Sequence, residues 1–269
     1  MDEPGWLPSG IDVERPSPAR MYDYYLGGSH SFAADRELAE QAVALWPDSP
    51  HIARANRAFL RRAIAFAAER GVRQFLDLGA GIPTVGNTHE VAARLNPRAR
   101  TVYVDNDLVA VAHSRSLLAG ETSTAVVHAD LRDSETVLAH ARGTLDFTRP
   151  VAVLMFAVLH FVPDQDDPAG VVDAYRRATV PGSLLALTHA TDDYQPERLR
   201  DMEDVYRGAS AGLTGRSHAR ITELLRGYEL VPPGLVSMIR WRPDPGSPPD
   251  PLGGDESRYS AYAAVAARR

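Results

Sequence analysis

Two acids at strand ends, with a glycine turn after the first, are the residues of this chain best placed for ligand chemistry. Arg73-Gln74-Phe75-Leu76-Asp77-Leu78-Gly79-Ala80-Gly81 reads as an apolar strand that ends in a carboxylate and a tight turn. Glycine has no Cβ, so the backbone can bend sharply and approach a ligand at Gly79 and Gly81. The Asp77 carboxylate can hold a cationic amine beside that turn. About two dozen residues later, Thr101-Val102-Tyr103-Val104-Asp105 ends a second strand in another acid. In nucleotide-binding α/β folds an acid at roughly 20 residues' distance takes the ribose hydroxyls. Together the two strands point to a nucleoside ligand.

Three such ligands compete. A nucleoside triphosphate needs Lys followed by Ser or Thr after the glycines, and neither pair is present. A dinucleotide needs Gly-x-Gly-x-x-Gly, but Thr84 stands at the third glycine, and Pro83 and the delayed Gly86 lengthen the turn. S-adenosylmethionine carries no phosphate. It needs an acid for its amino group, an acid for its ribose and a polar group for adenine. Asp77, Asp105 and Asp130, the last following the strand Thr124–His128, offer that set.

Further polar residues have competing readings. His160 follows the apolar run Pro150–Ala157, at the carboxyl edge where doubly wound sheets bind ligands. It is a candidate base for a substrate hydroxyl, or a packed residue. His189 lies at the same edge and is the weaker candidate. His89 and Glu90 read as helix-capping residues, and His128 as a strand-end core residue. Asp130 could alternatively cap a helix. Tyr22, Tyr24 and Tyr25 suggest an aromatic lid, because aromatic faces suit a sulfonium cation. Arg54 and Arg57 read as a solvated helix face, or as partners for a substrate anion. No cluster of His, Asp and Glu has metal-ligand spacing, so no metal is expected.

The elements that must position these residues follow from periodicity. Residues 1–20 hold Pro4, Pro8, Pro16 and Pro18 and read as an extended arm. A short helix from Met21 stops at Gly27-Gly28, and a second, capped by Asp35, runs to Leu45. The third, His51–Arg70, is amphipathic, with Phe59, Ala63 and Phe66 on one side. From Val72 strands and helices alternate: strands at 73–78, 101–105, 124–128, 150–157 and 183–188, helices near 87–95, 108–119, 134–141 and 167–178. Alternation of this kind predicts a doubly wound parallel sheet, and the continuous apolar run at 150–157 its centre. Helices near 197–207 and 217–226 precede two late strands, which predict an antiparallel hairpin at one sheet edge. The expected division is 1–70, an arm and helical extension or lid, and 71–269, the ligand-binding domain.

Composition narrows the function classes. The 269 residues suffice for a sizeable core. A net charge of −6 argues against a nucleic-acid backbone as partner. The chain has no cysteine, which excludes disulfides, thiolate metal sites and a cysteine nucleophile. No apolar run has membrane-spanning length, and the N-terminus does not read as a signal peptide, so a cytoplasmic location is expected.

The ordered set of motifs resembles the class I S-adenosylmethionine-dependent methyltransferases, and more narrowly an actinomycete methyltransferase family of unassigned substrate. The matching pieces are Ala19–Gly28, Arg54–Leu60, Leu76–Pro83 with Asn87–Glu90, Tyr103–Asp107 and Val158–Pro163. The resemblance runs from about residue 17 to 269. Pro83 departs from the broad superfamily, where a third glycine is usual. What the resemblance implies is a Rossmann-like sheet of seven strands, the last hairpin antiparallel. It further implies S-adenosylmethionine as cofactor and a small-molecule acceptor with an O, N or C nucleophile. Gly79, Ala80 and Gly81 would pass the methionine part, and Asp77 would hold its amino group. Asp105 would take the ribose, Asn106 would flank adenine, and Asp130 and Leu131 would sit at its edge. Ala157 and Val158 would lie beneath the sulfonium. A non-catalytic S-adenosylmethionine-binding regulator and a nicotinamide-dinucleotide oxidoreductase remain as alternatives; turnover and cofactor binding discriminate them.

Overall fold

The computed structural model describes residues 11–83, 86–246 and 248–269. Pro4, Pro8 and Thr84 of the readings above lie outside the described residues. Three helices come first: α1 (Pro18–Tyr25), α2 (Ala33–Leu45) and α3 (Ser49–Glu69). Asp35 sits inside the first turn of α2 rather than at its cap. It accepts the backbone N–H groups of Phe32 (2.8 Å) and Ser17 (2.9 Å), which ties the start of α1 to the start of α2.

The alternating part follows as β1 (Gln74–Leu78), α4 (Thr88–Leu95), β2 (Arg100–Asp105), α5 (Leu108–Leu117), β3 (Thr124–His128), α6 (Ser134–Ala141), β4 (Ala152–Met155), α7 (Pro168–Ala178) and β5 (Leu184–Ala190). α8 (Pro196–Tyr206), α9 (His218–Leu224), β6 (Tyr228–Leu230), β7 (Val236–Ser237) and β8 (Ala261–Arg268) complete the order used below. The sheet runs β3-β2-β1-β4-β5-β8-β6, with β1 to β5 parallel. The expected doubly wound sheet with an antiparallel end is present, with eight strands in place of seven. Both β6 and β7 pair with β8. Pro232 and Pro233 lie between them and offer no N–H donors, so the first arm of the hairpin is split.

Strand alternation divides the core. Phe75, Ala152, Leu154 and Ala186 face the layer of α3, where Phe59, Leu60, Ile64 and Trp241 pack. Leu76, Val153, Met155, Leu185 and Leu187 face the layer holding Val137, Val172 and Ile221. α3 of the N-terminal extension thus shares a core with the sheet. A third cluster joins Met21, Tyr25 and Trp46 to Leu199, Met202 and Tyr206 of α8. It stands beyond the carboxyl ends of β4 and β5. The strand order reverses between β1 and β4, the place where doubly wound sheets open a ligand crevice.

Candidate active site

The turn after β1 is pinned by its neighbours. Gly79 and Ala80 donate their N–H groups to the Val104 carbonyl at 2.8 and 3.1 Å. Gly79 and Gly81 both hold positive φ, +69° and +67°. A Cβ on Gly79 would lie 2.2 Å from Val158 Cγ2, so only glycine allows the turn to pass this close to the loop after β4. Ala157, just before Val158, also adopts a positive φ of 50°. Its N–H is held by Thr188 Oγ1 at 2.8 Å, which supports an unfavourable backbone at the floor of the site.

Asp77 and Asp105 are both buried behind this turn. Asp77 Oδ2 accepts the Thr88 hydroxyl at 2.6 Å. Asp105 Oδ2 accepts the Gly81 N–H at 2.7 Å, and its Oδ1 accepts that of Asp107 at 2.8 Å. Burial pushes each carboxyl up to about 6, with these hydrogen bonds opposing. A buried acid with so raised a pKa gains from a cationic neighbour. Each Asp105 oxygen retains a lone pair for a further donor.

Beyond β3, Asp130 meets Arg132, whose Nε lies 3.0 Å from Oδ1. Burial alone would raise Asp130; the hydrogen bonds and charge of Arg132 outweigh it and hold the carboxyl below its usual range. The cap of α6 is Asp133, not Asp130. Leu131 is positioned through its carbonyl, which accepts the buried Tyr175 hydroxyl at 2.7 Å. Asn106 follows Asp105 into the same cavity. His128 is exposed rather than part of the core, with Nε2 3.3 Å from the Asn106 carbonyl. His89 bonds the Tyr103 hydroxyl through Nδ1, and Glu90 caps α4.

His160 lies after β4 with its ring against Phe161 and His189. Burial and the nearby His189 and Arg216 hold it neutral, well below the usual histidine range. Its Nδ1 accepts the Ala190 N–H at 3.3 Å, so the neutral ring carries its proton on Nε2. His189 has no nitrogen to spare. Its Nδ1 lies 2.7 Å from the Ala190 carbonyl, and Arg216 donates to its Nε2 at 2.9 Å.

Tyr22 and Tyr25 face the same space from α1. Tyr22 donates to the Ala53 carbonyl at 3.0 Å and accepts from Asn56 Nδ2 at 2.8 Å. Tyr25 pairs with the Tyr206 hydroxyl at 3.1 Å. A cavity of about 710 Å³ joins Asp77, the glycine turn, Asp105, Asp130, Ala157, His160 and both tyrosines. It brings together every residue of the expected site.

Some lining residues were not read as one unit from the sequence. Asn56 Oδ1 accepts from Thr188 Oγ1 at 2.7 Å, which links Ala157 through Thr188 and Asn56 to Tyr22. The signal was an asparagine on the apolar stripe of α3, between Ala53 and Phe59. Arg54 is exposed, whereas Arg57 turns inward and donates to the Gly86 carbonyl at 3.0 Å. Arg57 Nε is buried without a partner, and the side chain lines the cavity beside Asp77. Among the described residues no group of three or more His, Cys, Asp or Glu could hold a metal ion, and no helix is long and apolar enough to cross a membrane.

Fold and site together define a doubly wound α/β protein with a cavity at its switch point, lined by the buried acids Asp77 and Asp105. Residues 4–269 match the model of a family described as S-adenosyl methyltransferase. The chain belongs to this family and is an S-adenosylmethionine-dependent methyltransferase. It is similar to the crystal structure of a DUF574 family protein from Streptomyces avermitilis, at 39% identity and TM-score 0.90, over 96% of this chain and 99% of that one. A provisionally named methyltransferase from Thermobifida fusca is similar at 40% identity and TM-score 0.91, over 99% of this chain and 100% of that one. Human N-acetylserotonin methyltransferase, solved with S-adenosylmethionine, shares the fold alone: 13% identity and TM-score 0.50, over 96% of this chain and 60% of that one. No curated protein matches the chain.

Proposed function

We propose that the enzyme methylates a small-molecule acceptor seated above β4 and β5. The observation that carries this is the one cavity joining the acid-lined edge of β1 and β2 to an apolar chamber walled by α1 and α8. In this reading Asp77 takes the cofactor's amino group, and Arg57, with a buried Nε that has no hydrogen-bond partner, its carboxylate. Asp105 takes the ribose hydroxyls. Asn106, Asp130 and Leu131 form the adenine edge, and Gly79, Ala80 and Gly81 the backbone beside the methionine part.

S-adenosylmethionine, when bound, supplies an electrophilic methyl group that leaves its sulfur as the bond to the acceptor forms. The chain's own residues align the acceptor and keep water out, which is where most of the rate comes from in such a displacement. Val158 and Ala157 set the floor. Tyr22 and Tyr25 form the roof. Met21 and Tyr25 belong to a packed cluster, which supports a fixed roof over a hinged lid.

His160 is the polar group closest to the role of a catalytic side chain. A base at Nε2 needs that nitrogen unprotonated, and the Ala190 contact places the proton there. The geometry therefore supports a donor that orients an acceptor oxygen.

The test is release of S-adenosylhomocysteine from the full chain given pools of small-molecule acceptors. Tight cofactor binding without release from any pool refutes the proposal. With an acceptor in hand, His160→Ala should keep cofactor affinity and slow turnover about 10- to 100-fold. His160→Gln, which keeps a donor, should restore part of it. A lower melting temperature with unchanged turnover per folded molecule would instead mean packing.

A further inference from the structure

The cavity is divided by charge. Among the described residues, every charged side chain lining it belongs to one side. Asp77 ends β1, Asp105 and Asp107 close β2, and Asp130 follows β3. The arginines are tied to that side as well. Arg20 lies 3.6 Å from Asp107, Arg132 bonds Asp130, and Arg57 bonds the Gly86 carbonyl. Asp166 pairs with Arg132. Arg15 accepts from Arg20 through its carbonyl and donates its own N–H to Asp12.

The chamber over β4 and β5 differs. Its wall is Trp46, Ile52, Phe161, Leu199, Met202 and Tyr206. The rings of Phe161 and Tyr206 are 5.7 Å apart, tilted by 36°. Its histidines are neutral near pH 7, since burial lowers His189 to about 4 and His160 well below its usual range. His160 Nε2 makes no hydrogen bond among the described residues; the Tyr25 and Tyr206 hydroxyls bond each other, and Tyr22, Asn56 and Thr188, which also line the cavity, bond one another and the backbone of Ala53 and Ala157.

An ion entering such a chamber loses its water, and the one charge behind the wall, Arg216, is already paired with Asp164, so the cost is large. A sugar would leave several hydroxyls without partners. A flat ring loses little, because aromatic and sulfur-bearing side chains pack against it. The 710 Å³ must also hold the cofactor, so the acceptor is small.

We propose that the acceptor is an uncharged, ring-bearing, largely apolar molecule with an oxygen that accepts a hydrogen bond from His160 Nε2. This rests on the reading that the chamber over β4 and β5 takes the acceptor.

The experiment uses the full chain saturated with S-adenosylhomocysteine and three matched probes: 2-naphthol, 2-naphthoate and protonated 2-naphthylmethylamine. Calorimetry at about pH 7 compares them, since there only the first is neutral. Naphthol should bind, and both ions should bind at least about tenfold more weakly. Met202→Lys should weaken naphthol about tenfold and leave S-adenosylhomocysteine affinity unchanged. Met202→Gln, a milder change, tests the same point if the lysine variant does not fold by its melting curve. A chamber that takes either ion as tightly as naphthol, with binding sensitive to Met202, overturns the proposal and leaves the acceptor chamber standing. Probes that do not bind, or that are indifferent to both Met202 variants, overturn both.

Discussion

Protonating Asp77 should weaken cofactor binding, and the size of the effect follows from its burial. Its carboxyl is raised to about 6, chiefly by burial, with the Thr88 hydrogen bond and the Arg57 charge opposing. At pH 7 roughly nine in ten molecules carry the ionised acid, and at pH 5 roughly one in ten. If only the ionised form holds the amino group, affinity for S-adenosylhomocysteine falls about tenfold between pH 7 and pH 5, or about 1.4 kcal/mol. The stability of the ligand-free protein moves the other way. A carboxyl whose folded pKa is raised above its unfolded value favours folding fully below about pH 4. That contribution is lost as pH rises through about 6. Asp77→Asn should therefore raise the melting temperature at pH 7, by the equivalent of about 1–3 kcal/mol. It should also weaken S-adenosylhomocysteine and flatten the pH profile. Methylthioadenosine, which lacks the amino-acid part, reports on the same pocket without the amine. Its affinity should depend little on Asp77. Asp105 titrates in the same range and is coupled to Asp77, so the profile belongs to the pair until the variant separates them. Calorimetry across pH 5–7 gives all four curves. A flat profile for S-adenosylhomocysteine, or equal losses for both ligands in Asp77→Asn, would refute the amine assignment.

Gly79→Ala combines a positive φ with a Cβ 2.2 Å from Val158 Cγ2, and should lower stability by about 2–4 kcal/mol in chemical denaturation. Arg57→Gln should cost S-adenosylhomocysteine about 10- to 100-fold in calorimetry while sparing methylthioadenosine; equal losses would rule out a carboxylate contact. Thr188→Val strands the part-buried Ala157 N–H and the buried Asn56 side-chain carbonyl. It should lower stability by about 1–3 kcal/mol, read from denaturation curves. An unchanged midpoint would show that the network carries little.

The sheet and its acids were legible because both depend on short stretches of chain. Phe75 and Leu76, or Leu154 and Met155, already belong to opposite core layers by alternation. Asp77 and Asp105 each end a strand, and the crevice of a doubly wound sheet opens at strand ends. The split of the late hairpin was also written locally, in Pro232-Pro233, although only the pairing of both halves with β8 shows its effect. The apolar chamber was not legible. Its bonds join residues far apart, Tyr25 to Tyr206 and Asn56 to Thr188, at separations of 181 and 132 residues. No spacing rule reaches that far. The same holds for the inward turn of Arg57 beside an exposed Arg54, since helical period places both on a polar side until α4 and the glycine loop pack against one of them. It holds too for the proton on His160. Sequence order brought that ring to the ligand edge, but the Ala190 N–H from a neighbouring strand chooses its tautomer. Residue order thus determined the acid-lined edge, which needs only strand ends and a turn. Tertiary packing decided the apolar chamber, because a closed apolar space exists only where separate elements meet.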